Sequence, residues 1–325
     1  MLANPQIEQM DREAVAAMQL TKLKKQLQWA QTKSRFYQAH FAAAEADWQQ
    51  VETLADLRKL PFLTNMDLYR TDALDMLTLP LASVLRYACL EEQSGDLMHL
   101  YTNGDIGHNV EMMARALVST GVNQTSIVGL LCDVSDSRFQ DVQYAAEVLG
   151  AAVVPMGLDY KHWLQLMEHV SLDTLVATPQ LVLQLIVQLQ AAGKDIADYP
   201  LTRVICINPA AIQNPMQRHI HDCTKAEVYN FYAPAALGTA AMLYPCSGHE
   251  GQHVQEDHYY AELIAFNSDE PVTDPHQMGE LVVTTLDAEA MPLIRYRTGQ
   301  AVSFETAPCS CGRTLLRVKT PFSFF

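Results

Sequence analysis

SIVGLLC (126–132), RFQDVQYAAEVLG (138–150), AAVVPM (151–156), HWLQLMEHV (162–170), TLVAT (174–178), PQLVLQLIVQLQAAG (179–193), RVICIN (203–208), NPMQRHIHDC (214–223) and EVYNFY (227–232) follow one another in a regular beat. Short apolar runs rich in Val and Ile alternate with amphipathic runs of nine or more residues. Such alternation is the signature of parallel strands joined by right-handed helical crossovers. The stretch therefore predicts an α/β fold built on a mostly parallel sheet flanked by helices.

Upstream, VLRYACL (84–90) and LMHLY (97–101) read as strands and 105–120 as a helix. Residues to about Ala46 carry Met18, Leu20, Leu23, Leu27 and Trp29 at helical spacing, which predicts one long or two short helices. VETLADLRKLPF reads as a short helix stopped by Pro61, and Thr64-Asn65-Met66-Asp67 as a capped helix start. Downstream of Gly238 the helical pattern vanishes. AAMLYP (240–245), YAELIAF (260–266), GELVVTTL (279–286), AVSFE (301–305) and TLLRVK (314–319) read as β segments of an antiparallel subdomain. The chain thus divides into a helical segment at 1–82 packed on the core, an α/β domain at 83–238, and a β subdomain at 239–325.

The 325 residues carry 37 acidic and 22 basic side chains, a formal net charge of −15, which argues against a nucleic-acid footprint. Neither a signal-peptide pattern nor an apolar run long enough to span a bilayer is present, so a cytoplasmic protein is expected. In a reducing compartment clustered thiols point to metal in preference to disulfides. Cys89, Cys132, Cys206 and Cys223 stand alone in the sequence and read as core packing.

Several phrases are more particular than the element order. SRFYQAHF (34–41), LADLRKLPFLTNMDL (54–68), EDHYYAELI (256–264), GELVVTTLDAEAMPLIRYRTGQ (279–300) and PCSCGR (308–313) together resemble the phenylacetate-coenzyme A ligase branch of the adenylate-forming enzymes. The resemblance runs from about Ile7 to about Val318. It implies the large domain of that fold. It also implies a family chemistry in which a carboxylate attacks ATP and the acyl-adenylate passes its acyl group to coenzyme A.

Set against that resemblance, the ATP-handling residues are altered. Where the family has a Ser/Thr/Gly-rich phosphate loop, the chain reads Leu90-Glu91-Glu92-Gln93-Ser94-Gly95-Asp96-Leu97. Only Ser94 and Gly95 survive in kind, and carboxylates stand where a triphosphate would lie. Like charges a few ångströms apart at a partly dry site cost on the order of several kcal/mol. The family's YGLSE phrase corresponds to Tyr232-Ala233-Pro234-Ala235-Ala236, so the acidic metal helper is replaced by Ala236. An adenine-contacting GAE phrase becomes Asn208-Pro209-Ala210, where proline offers no N–H. The RYRTGD phrase reads Arg295-Tyr296-Arg297-Thr298-Gly299-Gln300. Neutral Gln300 thus replaces the Asp that would grip the ribose hydroxyls. Arg295 and Arg297 either face a crevice or pair with carboxylates. The chain ends KTPFSFF where the family continues into a hinge and a lysine-bearing lid, and the lid is expected to be absent. No catalytic residue is assigned. Ser94, Gly95, Tyr232, Arg297 and Gln300 mark a degenerate nucleotide site, and neither ATP nor Mg²⁺ is expected to bind.

The β subdomain holds a second constellation. Cys309-Ser310-Cys311 lies in a Pro-Cys-Ser-Cys-Gly turn, and Cys246 precedes His253 by seven residues with Gly248 and Gly251 between. Three thiolates and an imidazole suit tetrahedral Zn²⁺, and four protein ligands make such a site structural. Cys246, His253, Cys309 and Cys311 are the expected ligands, with backbone N–H groups near Gly248 and Gly312 donating to the sulfurs. His249 and His258 are rivals for the histidine place, His258 reading better as a satisfied surface or groove residue. The remaining histidines show no metal spacing. Thr178-Pro179 reads as a helix cap, and Asp133, Asp136 and Arg138 as a solvated helix start.

Two functions follow. The first is a ligase-like protein that has lost acid activation and acts as a binding or partner protein. The alternative is a working AMP-forming acyl-coenzyme A synthetase whose ATP site is rebuilt or completed by another chain. The expected partners are a small carboxylate or acyl ligand in the residual crevice and a second copy or another protein. Nucleic acid and membrane are not expected.

Overall fold

The computed structural model describes residues 1–92, 95–133, 135–266 and 268–321, without the side chains of Glu91 and Glu92. The N-terminal segment forms α1 (Pro5–Glu8), α2 (Arg12–Lys33) and α3 (Arg35–Ala43). The break between α2 and α3 falls at Ser34, whose hydroxyl accepts from the Tyr37 N–H and starts a new helix. Leu54–Lys59 is a 3₁₀ helix, shorter and tighter than the sequence suggests. Helix α4 (Asn65–Arg70) opens on Thr64, which with Asp67 forms a capping box; α5 (Ala73–Met76) follows.

The central sheet contains β3 (Ile127–Leu131), β4 (Ala152–Pro155), β5 (Thr174–Ala177), β6 (Arg203–Ile207) and β7 (Glu227–Phe231), in the order β4-β3-β5-β6-β7. Every pairing in it is parallel. Along β6 the side chains alternate between two cores. Ile205 and Ile207 face α6 (Asn103–Ser119) and α7 (Ser137–Val148), whereas Val204 and Cys206 face α8 (Tyr160–His169), α9 (Pro179–Ala191) and α10 (Gln217–Thr224). A strand buried on both faces needs no polar positions, which explains its continuous apolar reading. Each fully buried Val, Leu or Ile contributes about 1.5–3 kcal/mol. Helix α10 starts at Gln217 because the side chain of Asn214 takes the Met216 N–H into a turn.

The antiparallel layer is a six-stranded sheet of β8 (Leu243–Pro245), β9 (Gln252–Val254), β10 (Tyr259–Ile264), β11 (Gly279–Thr285), β12 (Tyr296–Glu305) and β13 (Arg317–Lys319), ordered β10-β11-β12-β13-β9-β8. Strand β9 has no counterpart in the sequence reading. At three residues with two Gly upstream it is too short to show alternation. Helices α2 and α3 cover this layer, placing Leu23, Leu27, Tyr37 and Phe41 in one core with Leu281, Val283 and Val302. A separate hairpin, β1 (Arg86–Glu92) and β2 (Gly95–Tyr101), packs Ala88 and Leu90 on Ala235. None of the described helices is long and apolar enough to cross a membrane.

Candidate functional site: a thiol cluster beside an altered nucleotide crevice

The cluster is built by strand register. Cys246 follows β8, and β9 carries His253 opposite Arg317 of β13. The turn at 309–312 between β12 and β13 supplies Cys309 and Cys311. The four ligand atoms all lie within 4.8 Å of one another. Cys246 Sγ is 3.6 Å from Cys309 Sγ, and Cys311 Sγ is 3.5 Å from His253 Nε2. A tetrahedron with metal–sulfur bonds of about 2.3 Å and a metal–nitrogen bond of about 2.0–2.1 Å has S–S edges of about 3.8 Å and S–N edges of about 3.5 Å. These two edges match such a tetrahedron, and the remaining pairs lie within 4.8 Å.

Hydrogen bonds favour the thiolate of Cys311 and the thiol of Cys246. The Gly248 N–H donates to Cys246 Sγ at 3.4 Å, as the sequence suggests. Gly312 does not donate to sulfur. Its N–H closes the turn onto the Cys309 carbonyl at 2.9 Å, and the N–H groups of Cys311 and Arg313 face the thiols instead. The Cys311 thiol is held far below the usual range, first by its hydrogen bond with Cys246 and then by His253 and Arg313. That same bond raises Cys246, which keeps the shared proton. Arg313 in turn meets Glu8, a fully buried carboxylate of α1, at 2.6 Å.

His249 is excluded from the cluster. Its ring stacks on Tyr229 with centroids 5.3 Å apart, and its Nε2 lies 3.2 Å from Glu227. His258 is neither a surface residue nor a ligand of this site. It is 6% exposed and meets Asp287 at 3.0 Å, Glu111 at 3.2 Å and Asp257 at 3.4 Å. Desolvation opposes its charge, but the hydrogen bonds to Asp287 and Glu111 win and lift the imidazole to about 9. Arg115 grips Asp257 through both terminal nitrogens, and Lys22 of α2 reaches Asp287. Ligand atoms of His108, His258 and Asp287 also converge within 4.8 Å, a grouping that no spacing in the sequence announces. Three carboxylates there face Arg115, Lys22 and the protonated His258, so the local charge closes without an added cation.

The remnants of the nucleotide crevice are dispersed among structural duties. Ser94 lies outside the described residues. Gly95 begins β2 opposite Glu92. The register runs unbroken from Arg86↔Tyr101 to Glu92↔Gly95, so residues 90–92 and 95–97 of the segment that would wrap phosphates lie in a ladder. About half the backbone N–H groups of such a ladder point across the pair and are unavailable to an anion. Tyr232 is buried and bridges Leu243 through its backbone. Arg297 binds Glu280 at 2.6 Å and Asp269 at 3.1 Å. Arg295 binds Glu262 and lies 3.9 Å over the Phe62 ring. Gln300 accepts from the Ile212 N–H and donates to the Ala210 carbonyl, each at 3.3 Å. Ala236 is buried in a 3₁₀ turn and presents a methyl group.

Among the isolated cysteines, Cys132 and Cys206 are core residues, whereas Cys89 is exposed because it sits on the outward face of the hairpin. Thr178 caps α9 with Pro179 in its first turn. Asp136 caps α7 and pairs with Arg138, and Asp133 accepts from Ser135. These are helix starts and turns.

No family model matches the chain. It is 24% identical over 327 residues to a phenylacetate-coenzyme A ligase of Thermus thermophilus, covering 98% of this chain and 72% of that protein. It is 28% identical over 308 residues to a phenylacetate-coenzyme A ligase of Escherichia coli, covering 92% and 70%. A crystal structure of 2-hydroxyisobutyryl-CoA ligase with 2-HIB-AMP and CoA superposes with a TM-score of 0.88 at 18% identity, over 97% of this chain and 70% of that one. The architecture is that of the adenylate-forming enzymes. Within that architecture the chain is similar in sequence to those two phenylacetate-coenzyme A ligases over nearly its whole length.

Proposed function

We propose that this chain has lost ATP-dependent acid activation and serves as a binding or partner protein, with a structural zinc in its antiparallel layer. The observation that carries the first part is the placement of Gln300. Both ends of its amide are committed to the 210–212 loop. The resemblance assigns this position a carboxylate that grips ribose, and a ribose here would have to break both bonds. The acidic hairpin, the methyl group of Ala236 and the carboxylate-bound Arg297 add to the same reading. Zinc is supported by the convergence of the Cys246, His253, Cys309 and Cys311 ligand atoms within 4.8 Å of one another. Held there, it would clip the 246–253 segment to the 309–312 turn and supply folding energy.

Calorimetric titration with ATP·Mg²⁺ tests the loss of activation. Binding no tighter than millimolar is expected, and a micromolar dissociation constant would overturn the reading.

A second reading, a working acyl-coenzyme A ligase with a rebuilt ATP site, is favoured by the ligases matched over 98% and 92% of the chain. Acid-dependent release of pyrophosphate from ATP, with a panel of small carboxylic acids, would establish it.

A further inference from the structure

A pocket of about 190 Å³ opens between α4, α5 and the hairpin strand β2. Leu68, Met76, Leu97, Met291 and Leu293 form the apolar part of its wall, with Tyr69 and Thr71 beside them. Thioether side chains adapt readily to varied shapes, and a cavity of roughly 150 Å³ already admits a benzene ring. Ala236 closes one side with a methyl group, where the resemblance would place a metal-binding carboxylate.

The polar groups are Thr71, Asp96, His99 and Tyr69, whose hydroxyl donates to the Gly95 carbonyl at 3.4 Å. Asp96 stands at the exposed mouth and brings the only carboxylate among the described lining residues, and neither Lys nor Arg lines the pocket. His99 also lines it, but the ring is buried against Gly238, where an added Cβ would come within 2.4 Å of it. Desolvation brings its imidazole down to about 4, so it is neutral near pH 7. The site therefore combines Leu and Met surface with the Asp96 carboxylate at its entrance. A carboxylate or phosphate would meet repulsion and find no counter-charge.

We propose that this pocket binds a small hydrophobic amine, its apolar body against the Leu and Met wall and its ammonium at Asp96. The idea deepens the reading of a crevice unsuited to nucleotide. It rests on that reading only in that no triphosphate competes for the same mouth. Apolar burial supplies the affinity. An exposed ion pair adds only up to about fivefold, so Asp96 sets selectivity more than strength. The chain's net charge of −15 favours a cation further, and this preference weakens with salt.

The test uses benzylamine, benzyl alcohol and benzoate, which share a ring and differ in charge, titrated into the full chain by calorimetry. Binding is located through the methyl resonances of Met76, Met98 and Met291. The expected order is amine, then alcohol, then benzoate, with shifts at Met76 and Met291. Asp96→Asn changes an exposed side chain, and it should erase the preference for amine over alcohol while leaving the methyl shifts in place. Absence of amine binding, benzoate binding more tightly than the amine, shifts confined to other methionines, or an unchanged preference in the variant would each overturn the proposal. A parallel titration with ATP·Mg²⁺ separates the two ideas. Micromolar ATP binding sinks the loss of activation whatever the amine does. Failure of the amine alone sinks only the pocket assignment.

Discussion

Arg313 Nε donates to Glu8 Oε1 at 2.6 Å, and both side chains are sealed from solvent. This contact ties the turn that bears Cys309 and Cys311 to the first helix of the chain. Removing one partner of a buried ion pair leaves the other charge uncompensated, at a cost of about 3–5 kcal/mol. Glu8→Gln should therefore lower the urea midpoint strongly, and the double change Glu8→Leu with Arg313→Met should recover much of the loss. A shift in Glu8→Gln below about 1 kcal/mol would show that the pair contributes little.

Protein purified without chelators should contain one zinc per chain. Cys309→Ser should lower the zinc content and the thermal midpoint together. The parallel sheet should stay folded, because no proposed ligand lies before Cys246. Elemental analysis and far-UV circular dichroism check both halves. A zinc-free wild-type protein with the same midpoint as a zinc-loaded one would rule the clip out.

Restoring a Ser/Thr/Gly/Lys loop between Leu90 and Leu97 should not by itself give acid-dependent pyrophosphate release, and neither should Gln300→Asp alone. Groups that act as a unit contribute non-additively, so one repair leaves the others missing. Ala236 would still lack a ligand atom, and Arg297 would still be bound to Glu280. Turnover from either single change would mean that the essential parts lie elsewhere.

His258 gives the fold a pH dependence of known sign. Its folded-state pKa is raised to about 9 from 6.5, held by Asp287, Glu111 and Asp257 with Arg115, Lys22 and His108 around them. A raised imidazole contributes stability that is fully present below about pH 6.5 and is lost as pH rises through about 9. The difference corresponds to on the order of 3 kcal/mol. Chemical denaturation between pH 6 and 10 should show a decline that is absent in His258→Gln. A flat wild-type profile over that range would contradict the assignment.

The alternating strands and helices of 126–232 were legible in the sequence because a strand buried on both faces reads as an uninterrupted apolar run. The phrases around 279–300 and 308–313 were legible because they are long, ordered strings. Short spacings paired Cys309 with Cys311 and Cys246 with His253, and their common place in the β subdomain together with the resemblance joined the two pairs. Other features depend on contacts between segments far apart in the chain. His253 stands at the cluster, and His249 does not, because the pairing of β9 with β13 sets His253 opposite Arg317. His258 is buried, and desolvation opposes its charge, yet its pKa is raised because the fold brings Asp287, Glu111 and Asp257 around one imidazole. Gln300 ties down the 210–212 loop because sheet packing brings that loop within reach of its amide. Sequence states which groups a chain carries. Which of them meet, and which are already engaged by their neighbours, is decided when the layers close and each polar group loses water and must find a partner within hydrogen-bond distance.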